Sequence, residues 1–262
     1  MNLLKRRYLL GLIGFAILLL ALDRAYVTPI LLYQHIDDHG YRSKLSVSPE
    51  SFARQMEFLK THRYRVLSLS DYVHLLRDKK RPPRKSVIIT FDDGYDDNFS
   101  KAYPVLRKMD FPATVFVQTG EVGAPGYLMP EDLAIMSDNG VEIQSHTVTH
   151  PFLPDVEPAA VEKELADSKA ALEGITEKPV SLFAYPGGGY TPEIARLAEK
   201  AGYEAAVTTN RRGRGPLDLF ALRRIRVTRT ADNLFVFWLQ TSGFFNRIEE
   251  WRRGDEHKEQ NV

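Results

Sequence analysis

The chain has 262 residues, 44% hydrophobic and 26% charged, which suits one large globular domain or two small ones. Lys and Arg total 35 against 34 Asp and Glu, and the net charge of +1, with no basic stripe interleaved with aromatics, argues against a nucleic-acid partner. Cysteine is absent, which excludes disulfides, thiolate nucleophiles and zinc–sulfur sites, so any metal must be held by His, Asp or Glu.

Lys5-Arg6-Arg7 precede an apolar run from Tyr8 to Leu22, closed by Asp23-Arg24. Cations before such a run keep the N-terminus in the cytoplasm and send the following residues across the membrane. The run is shorter than the about 20 residues of a full span, which admits a cleaved signal peptide as the alternative. No small-x-small site follows it, so residues 1–27 are read as an uncleaved membrane anchor. Either reading places residues 28–245 outside the cytoplasm, in the periplasm or at the cell surface, or secreted if the segment is cleaved.

From Thr28 onward, β-rich runs alternate with helical patterns. Strands are expected at Pro29–Gln34, Tyr64–Leu69, Ser86–Phe91, Ala113–Gln118, Val141–Ser145, Val180–Ala184, Glu204–Thr208 and Leu222–Val227. Several are near-continuous apolar runs, as strands covered on both faces should be. Ser48–Thr61 reads as a helix with Ser48 as N-cap, Pro49 in the first turn, and Phe52, Met56 and Leu59 on one face. Glu157–Leu172 and Thr191–Lys200 show similar patterns, the latter with Pro192 in its first turn and Gly202 past its end. This alternation predicts an α/β fold with a parallel sheet, closed or nearly closed into a barrel, with a doubly wound open sheet as runner-up. Residues 246–262 are crowded with charge and read as a solvated tail.

Three segments carry chemistry, each where a strand ends. Thr90-Phe91-Asp92-Asp93-Gly94-Tyr95 places two adjacent carboxylates before a glycine turn. On an extended stretch they point to opposite sides, so that one can bind a metal while the other faces a substrate. Ser145-His146-Thr147-Val148-Thr149-His150-Pro151 has β-branched residues between its histidines and proline after them, which favours a tight loop over a helix. The helical zinc-protease motif needs Glu after its first His, and Thr147 stands there. Phe183-Ala184-Tyr185-Pro186-Gly187-Gly188-Gly189-Tyr190 offers bare backbone N–H groups for an oxyanion. In a parallel barrel these strand ends converge on one face, where two His and one Asp make a metal-binding set with open positions. Two imidazoles and a carboxylate suit a divalent ion, Zn2+ best, with Co2+, Ni2+, Fe2+ or Mn2+ as alternatives.

In the order and spacing of these motifs the chain resembles the polysaccharide deacetylase family, carbohydrate esterase family 4, also called the NodB homology domain. The resemblance runs from Pro29 to Val227 and includes Pro112-Ala113-Thr114-Val115-Phe116. It implies a distorted (β/α)7 barrel, one catalytic domain over residues 28–245, and a hydrolase that removes acetyl groups from an N-acetylated polysaccharide. It implies metal binding by Asp93, His146 and His150, with Asp92 as catalytic base. Leu31-Leu32-Tyr33-Gln34-His35-Ile36 and Ser48-Pro49-Glu50-Ser51-Phe52 resemble the branch acting on exported poly-N-acetylglucosamine. The chain departs from the pattern in places. Ala184 stands where many members have the Arg that orients the base, as it does in that branch, and Gly187 stands where an aromatic is usual. Gln34 replaces the branch's His, and the late Leu-x-His that supplies the general acid has no counterpart. His35 is then the expected replacement acid, Gly187 the source of an oxyanion N–H, and Tyr95, Tyr127, Tyr185, Pro186 and Tyr190 the expected substrate contacts. A glycan-binding protein that kept the metal but lost turnover, and an O-acetyl esterase, are the alternatives.

Overall fold

A computed structural model describes residues 26–37, 45–210 and 218–245. The expected membrane segment lies outside these residues except for its last two positions, and the charged tail lies wholly outside them. No helix among them is long and apolar enough to cross a membrane.

The elements follow the expected alternation. Strand β1 (Ile30–Tyr33) leads to helix α1 (Pro49–Thr61), β2 (Arg65–Leu67), α2 (Leu69–Arg77) and β3 (Ser86–Phe91). Next come α3 (Tyr103–Met109), β4 (Ala113–Val117), α4 (Pro130–Asp138), β5 (Val141–Ser145) and α5 (Pro158–Thr176). The described chain ends with β6 (Leu182–Ala184), α6 (Pro192–Lys200), β7 (Ala205–Thr208), β8 (Leu222–Arg223), β9 (Ile225–Arg226) and α7 (Leu234–Thr241). Ser48 caps α1, its hydroxyl accepting from the Ser51 N–H at 3.2 Å, and Phe52, Met56 and Leu59 are fully buried. Each such side chain contributes about 1.5–3 kcal/mol by leaving water. Helix α5 runs one turn further than its pattern predicts and closes at Glu177 in the left-handed region, φ 53°.

All named strands pair in parallel, in the order β8-β7-β6-β5-β4-β3-β1-β9 with β2 beside β3. The two ends of that order are one stretch of chain. Leu222 and Arg223 pair with Val207 and Thr208 of β7, whereas Ile225 and Arg226 pair with Leu31 and Leu32 of β1. The single strand expected over Leu222–Val227 is therefore two short strands, because the chain changes partner at Arg224 and so nearly closes a distorted (β/α)7 barrel. The open sheet is ruled out.

The strands pack on two faces, as period-2 alternation requires. Leu31, Val87, Ile89, Val115 and Phe183 join α1, α3, α4 and α5 in the larger apolar cluster. Ile30, Ile88, Phe116, Leu182, Ala205, Val207 and Leu222 form the smaller one, inside the barrel, with Leu69, Tyr72 and Val73 of α2. The ladder is interrupted in two places, and polar side chains of β5 fill the gaps. Glu142 accepts from the Leu69 and Ser70 N–H groups, each at 3.2 Å, and from Thr114 Oγ1 at 2.7 Å. Gln144 Oε1 accepts from the Ser181 and Leu182 N–H groups at 2.9 and 2.7 Å. A carboxylate at the first turn of α2 also complements the helix dipole.

Glu142→Ala leaves two N–H groups and a hydroxyl without their acceptor, and the expected cost is about 1–3 kcal/mol of unfolding free energy. Denaturant unfolding checks this, and a change within roughly 0.5 kcal/mol, as for an ordinary surface substitution, contradicts it.

Candidate active site

Beyond Phe91, strand β3 gives way to a turn. Asp93 has φ 74° and Gly94 φ 78°, both left-handed. A Cβ added at Gly94 would lie 3.1 Å from Val117 Cγ1, and its φ already disfavours a side chain. This turn corrects the expectation that the two carboxylates face opposite ways. The alternation on which it rested stops at Phe91, and both approach one imidazole: His146 Nε2 lies 3.8 Å from Asp92 Oδ2 and 3.5 Å from Asp93 Oδ1. Their other partners remain distinct.

Asp92 is buried and paired with Arg224. The guanidinium donates from Nη1 to Oδ1 at 2.5 Å and from Nη2 to Oδ2 at 2.6 Å, a bidentate fork. Arg224 is 4% exposed, lies over the Phe116 ring at 5.3 Å, and donates to Thr90 Oγ1 at 3.3 Å. Burial pushes the Asp92 pKa up, but the Arg224 charge, with that of His146, outweighs it and holds the carboxyl below its ordinary range. Sequence reasoning missed Arg224. Ala184 leaves Asp92 without the family's usual Arg, and no replacement is legible among the arginines of residues 222–227 until the strand pairing is known. Only the parity of Arg224 with the inward-facing Leu222 marks it.

The histidine segment forms a loop at the end of β5. Thr147 and His150 adopt positive φ, 68° and 55°. This strain, of order 1–3 kcal/mol per residue, is held in place by the surroundings. Glu164 of α5 accepts from the Val148 N–H at 2.7 Å, the Thr149 N–H at 3.0 Å and the Thr149 hydroxyl at 2.7 Å. Gly120 donates its N–H to Val148 O at 2.9 Å, and a Cβ there would lie 2.7 Å from that oxygen. The outcome is the expected convergence, with the His146 and His150 ring centroids 4.8 Å apart.

Asp93, His146 and His150 each offer a ligand atom, all within 4.8 Å of one another. Both Nε2 atoms lie 3.5 Å from Asp93 Oδ1. Tetrahedral bonds of ~2 Å place donors roughly 3.3 Å apart, so the set fits a metal ion with little adjustment. The tautomer fits as well. His146 Nδ1 lies 2.8 Å from Ala184 O, a carbonyl that can only accept, so Nδ1 carries the hydrogen and Nε2 presents its lone pair. Burial lowers the His146 pKa, which favours this neutral form.

A second layer surrounds Asp93. Gln34 Nε2 donates to Asp93 Oδ2, which places Gln34, where the branch has His, against the Asp93 carboxylate. Burial, followed by the nearby Asp93 charge, pushes the Tyr95 phenol pKa well up. The Tyr95 ring stacks on His35 at 3.6 Å and on Tyr127 at 5.1 Å. His35 Nδ1 pairs with Asp97 Oδ2 at 2.9 Å. Burial opposes the imidazolium, but the hydrogen bond and charge of Asp97 prevail and raise the His35 pKa. Beside this layer lies a cavity of about 500 Å³ lined by His35, Tyr95, Asp97, Lys101 and Tyr127.

The Pro186–Gly188 turn follows β6. Gly187 is exposed at φ 61°, and the Phe152 ring, itself 51% exposed, lies against this turn. A Cβ at Gly189 would come within 2.1 Å of Phe152 Cε2, so a side chain there requires the exposed ring to swing aside. Two expected substrate contacts are corrected here. Tyr185 is fully buried with its hydroxyl bonded to Phe220 O at 2.9 Å, and Pro186 is buried, so both side chains belong to the core. Tyr190 is half-buried and stacks on Tyr185 at 5.0 Å.

This barrel and these motifs define the class of protein. Residues 79–206 match the family described as Polysaccharide deacetylase. The chain is 36% identical over 202 residues to the Bacillus subtilis (strain 168) protein YxkH, whose name places it among polysaccharide deacetylases, covering 76% of this chain and 71% of that one. It is 30% identical over 188 residues to the poly-beta-1,6-N-acetyl-D-glucosamine N-deacetylase of Staphylococcus aureus (strain MSSA476), covering 63% of this chain and 64% of that one. Its fold is similar to that of the Streptococcus pyogenes deacetylase PplD in complex with acetate, with a TM-score of 0.74, 32% identity, and coverage of 81% of this chain and 98% of that one. The chain belongs to the polysaccharide deacetylase family and is a deacetylase hydrolase.

The Arg224 pairing makes a prediction about Asp92. Without the guanidinium the buried carboxylate loses its main stabilising charge, so the Asp92 pKa rises in Arg224→Gln. Carbon-13 NMR titration of the Asp92 carboxyl in both proteins measures this. Equal pKa values contradict the pairing.

Proposed function

We propose that this deacetylase is a metal-dependent hydrolase that removes N-acetyl groups from a poly-N-acetylglucosamine-like polysaccharide outside the cytoplasm. The observation that carries this reading is the convergence of Asp93, His146 and His150 beside an Asp92 whose carboxylate is kept ionised by Arg224. The substrate class is supported by the name of the Staphylococcus aureus relative. The location is supported by Lys5-Arg6-Arg7 before the apolar run.

Asp93, His146 and His150 would hold a divalent cation, and zinc suits two imidazoles with one carboxylate. Bound there, it would polarise the acetyl carbonyl as a Lewis acid and ease loss of a proton from water. Asp92 accepts that proton as water adds to the carbonyl, and Arg224 keeps the carboxylate oriented and charged until then. The exposed N–H at Gly187 faces the developing oxyanion. The departing amine needs a proton, and His35, with its pKa raised by Asp97, supplies it in place of the family's late His. Tyr95 is sandwiched between His35 and Tyr127 and has no free face, so Tyr127 at the cavity wall and Tyr190 at the rim are the rings that offer a face to a sugar.

Acetate release tests the reading directly. Full-length protein is incubated with poly-N-acetylglucosamine, chitooligosaccharides, peptidoglycan and O-acetylated sugars, before and after chelation. Release from poly-N-acetylglucosamine, abolished by chelation and restored by a divalent cation, is the expected result. Release only from O-acetylated sugars makes the chain an esterase, and metal-bound protein releasing nothing makes it a glycan-binding protein.

A further inference from the structure

We infer that the outer face of α7 docks on the lipid bilayer, laying the barrel on its side against the membrane. This rests on the proposed membrane attachment and adds a second, non-covalent contact to it. Six large hydrophobic side chains are markedly exposed among the described residues, and three of them, Leu234 (37%), Phe235 (67%) and Trp238 (45%), sit together on this one short helix. The Phe235 and Trp238 rings lie 5.5 Å apart and form one patch. The opposite face is accounted for, with Phe237 fully buried and edge-on to Phe58 at 5.8 Å. Leu234, Phe235 and Trp238 are thus not part of the fold's own core.

Chain connectivity points to the occupant. The Val27 N–H donates to Gly243 O at 3.0 Å, and the Tyr26 ring meets Phe244 edge-on at 6.1 Å, just past the end of α7. The apolar run ends at Leu22, four residues before Tyr26. Four residues span at most roughly 14 Å, and an eight-residue helix is about 12 Å long. Wherever the apolar run enters a membrane, the α7 patch is held within a few nanometres of its surface. Tryptophan and phenylalanine are the side chains that favour the bilayer interface. The sequence after the described residues adds Trp251, Arg252 and Arg253, a composition suited to anionic headgroups.

The contact would fix how the site faces the membrane. Ser51 Oγ, at the catalytic end of the barrel, donates to Asp232 Oδ1 at 2.5 Å just before α7 begins. Thr241, in its last turn, donates to the Tyr64 hydroxyl at 3.3 Å, beside the opposite end where β2 starts. Helix α7 therefore runs the length of the barrel. A tether at Tyr26 alone would leave the catalytic mouth pointing away from the bilayer, since Tyr26 bonds Ser86 at the far end of β3. With α7 docked, the mouth opens along the membrane surface.

The test uses the full-length protein carrying Trp251→Phe, so that Trp238 is the one remaining Trp of the two in the sequence. It is reconstituted with vesicles of phosphatidylcholine and phosphatidylglycerol, with and without brominated acyl chains. Flotation reports attachment, and Trp238 emission reports the patch. We expect flotation, a blue shift, and loss of about half the emission in brominated vesicles, as for a side chain at the headgroup–acyl boundary. Phe235→Ser, at an exposed position, should weaken that quenching while leaving flotation intact. Flotation with Trp238 open to aqueous iodide but not to brominated lipid overturns the docking and leaves the anchor standing. Shielding from both quenchers also overturns it, in favour of a second protein copy on the patch. Protein that does not float overturns both the anchor and the docking.

Discussion

An arginine and an aspartate lie together inside the barrel, and neither charge is tolerable there without the other. Taking either ion out of water alone costs several kcal/mol. Arg224 Nε has no hydrogen-bond partner, so the fork to Asp92 is what satisfies the cation. Arg224 is also the residue at which the chain leaves β7 and joins β1. Barrel closure and orientation of the Asp92 carboxylate are thus the same structural event. A deacetylase whose third motif carries Ala184 in place of Arg still needs a cation beside its Asp, and the closing strand supplies one from the other side of the barrel.

The rest of the site is arranged around the second aspartate. Asp93 Oδ1 faces both imidazoles while Oδ2 accepts from Gln34. The Tyr95 ring beside it stacks on His35, which in turn pairs with Asp97. The left-handed turns that make this possible, at Asp93, Thr147 and His150, are strained. They are held by groups distant in sequence, Glu164 and Gly120 among them, which is how functional geometry is commonly stabilised.

Much of this was legible beforehand, for reasons that differ by element. Strands Ser86–Phe91 and Val141–Ser145 match their expected bounds to the residue, the first as a nearly continuous apolar run and the second as the alternating Val-Glu-Ile-Gln-Ser after the Gly140 turn. Helix α1 was equally plain from Ser48, Pro49 and its apolar face. The convergence of the aspartate pair and the two histidines was legible because strand ends in a parallel barrel share one face, while the choice of Asp93 over Asp92 as ligand came from the family resemblance. What escaped depends on tertiary partners. Arg224 and Glu142 look like ordinary charged residues until the register shows what they meet. Tyr185 looked like a rim aromatic, whereas it packs inward, because a strand end before a glycine turn has one side chain facing the core. Exposure of Phe235 and Trp238 was equally hidden, since an apolar helix of eight residues does not announce which face is covered.

The central claim is a division of labour between neighbouring carboxylates: Asp93 holds the metal and Asp92, held by Arg224, takes the proton. The most direct measurement is metal content and acetate release for Asp92→Asn and Asp93→Asn side by side with the unmodified protein. The account predicts that Asp92→Asn keeps its metal and loses activity by roughly 10²–10⁴-fold, the usual effect of removing a general base. Asp93→Asn should lose metal and regain part of its activity when metal is supplied in excess. Loss of metal in Asp92→Asn with retention in Asp93→Asn would reverse the assignment, and full metal and activity in both would contradict the account.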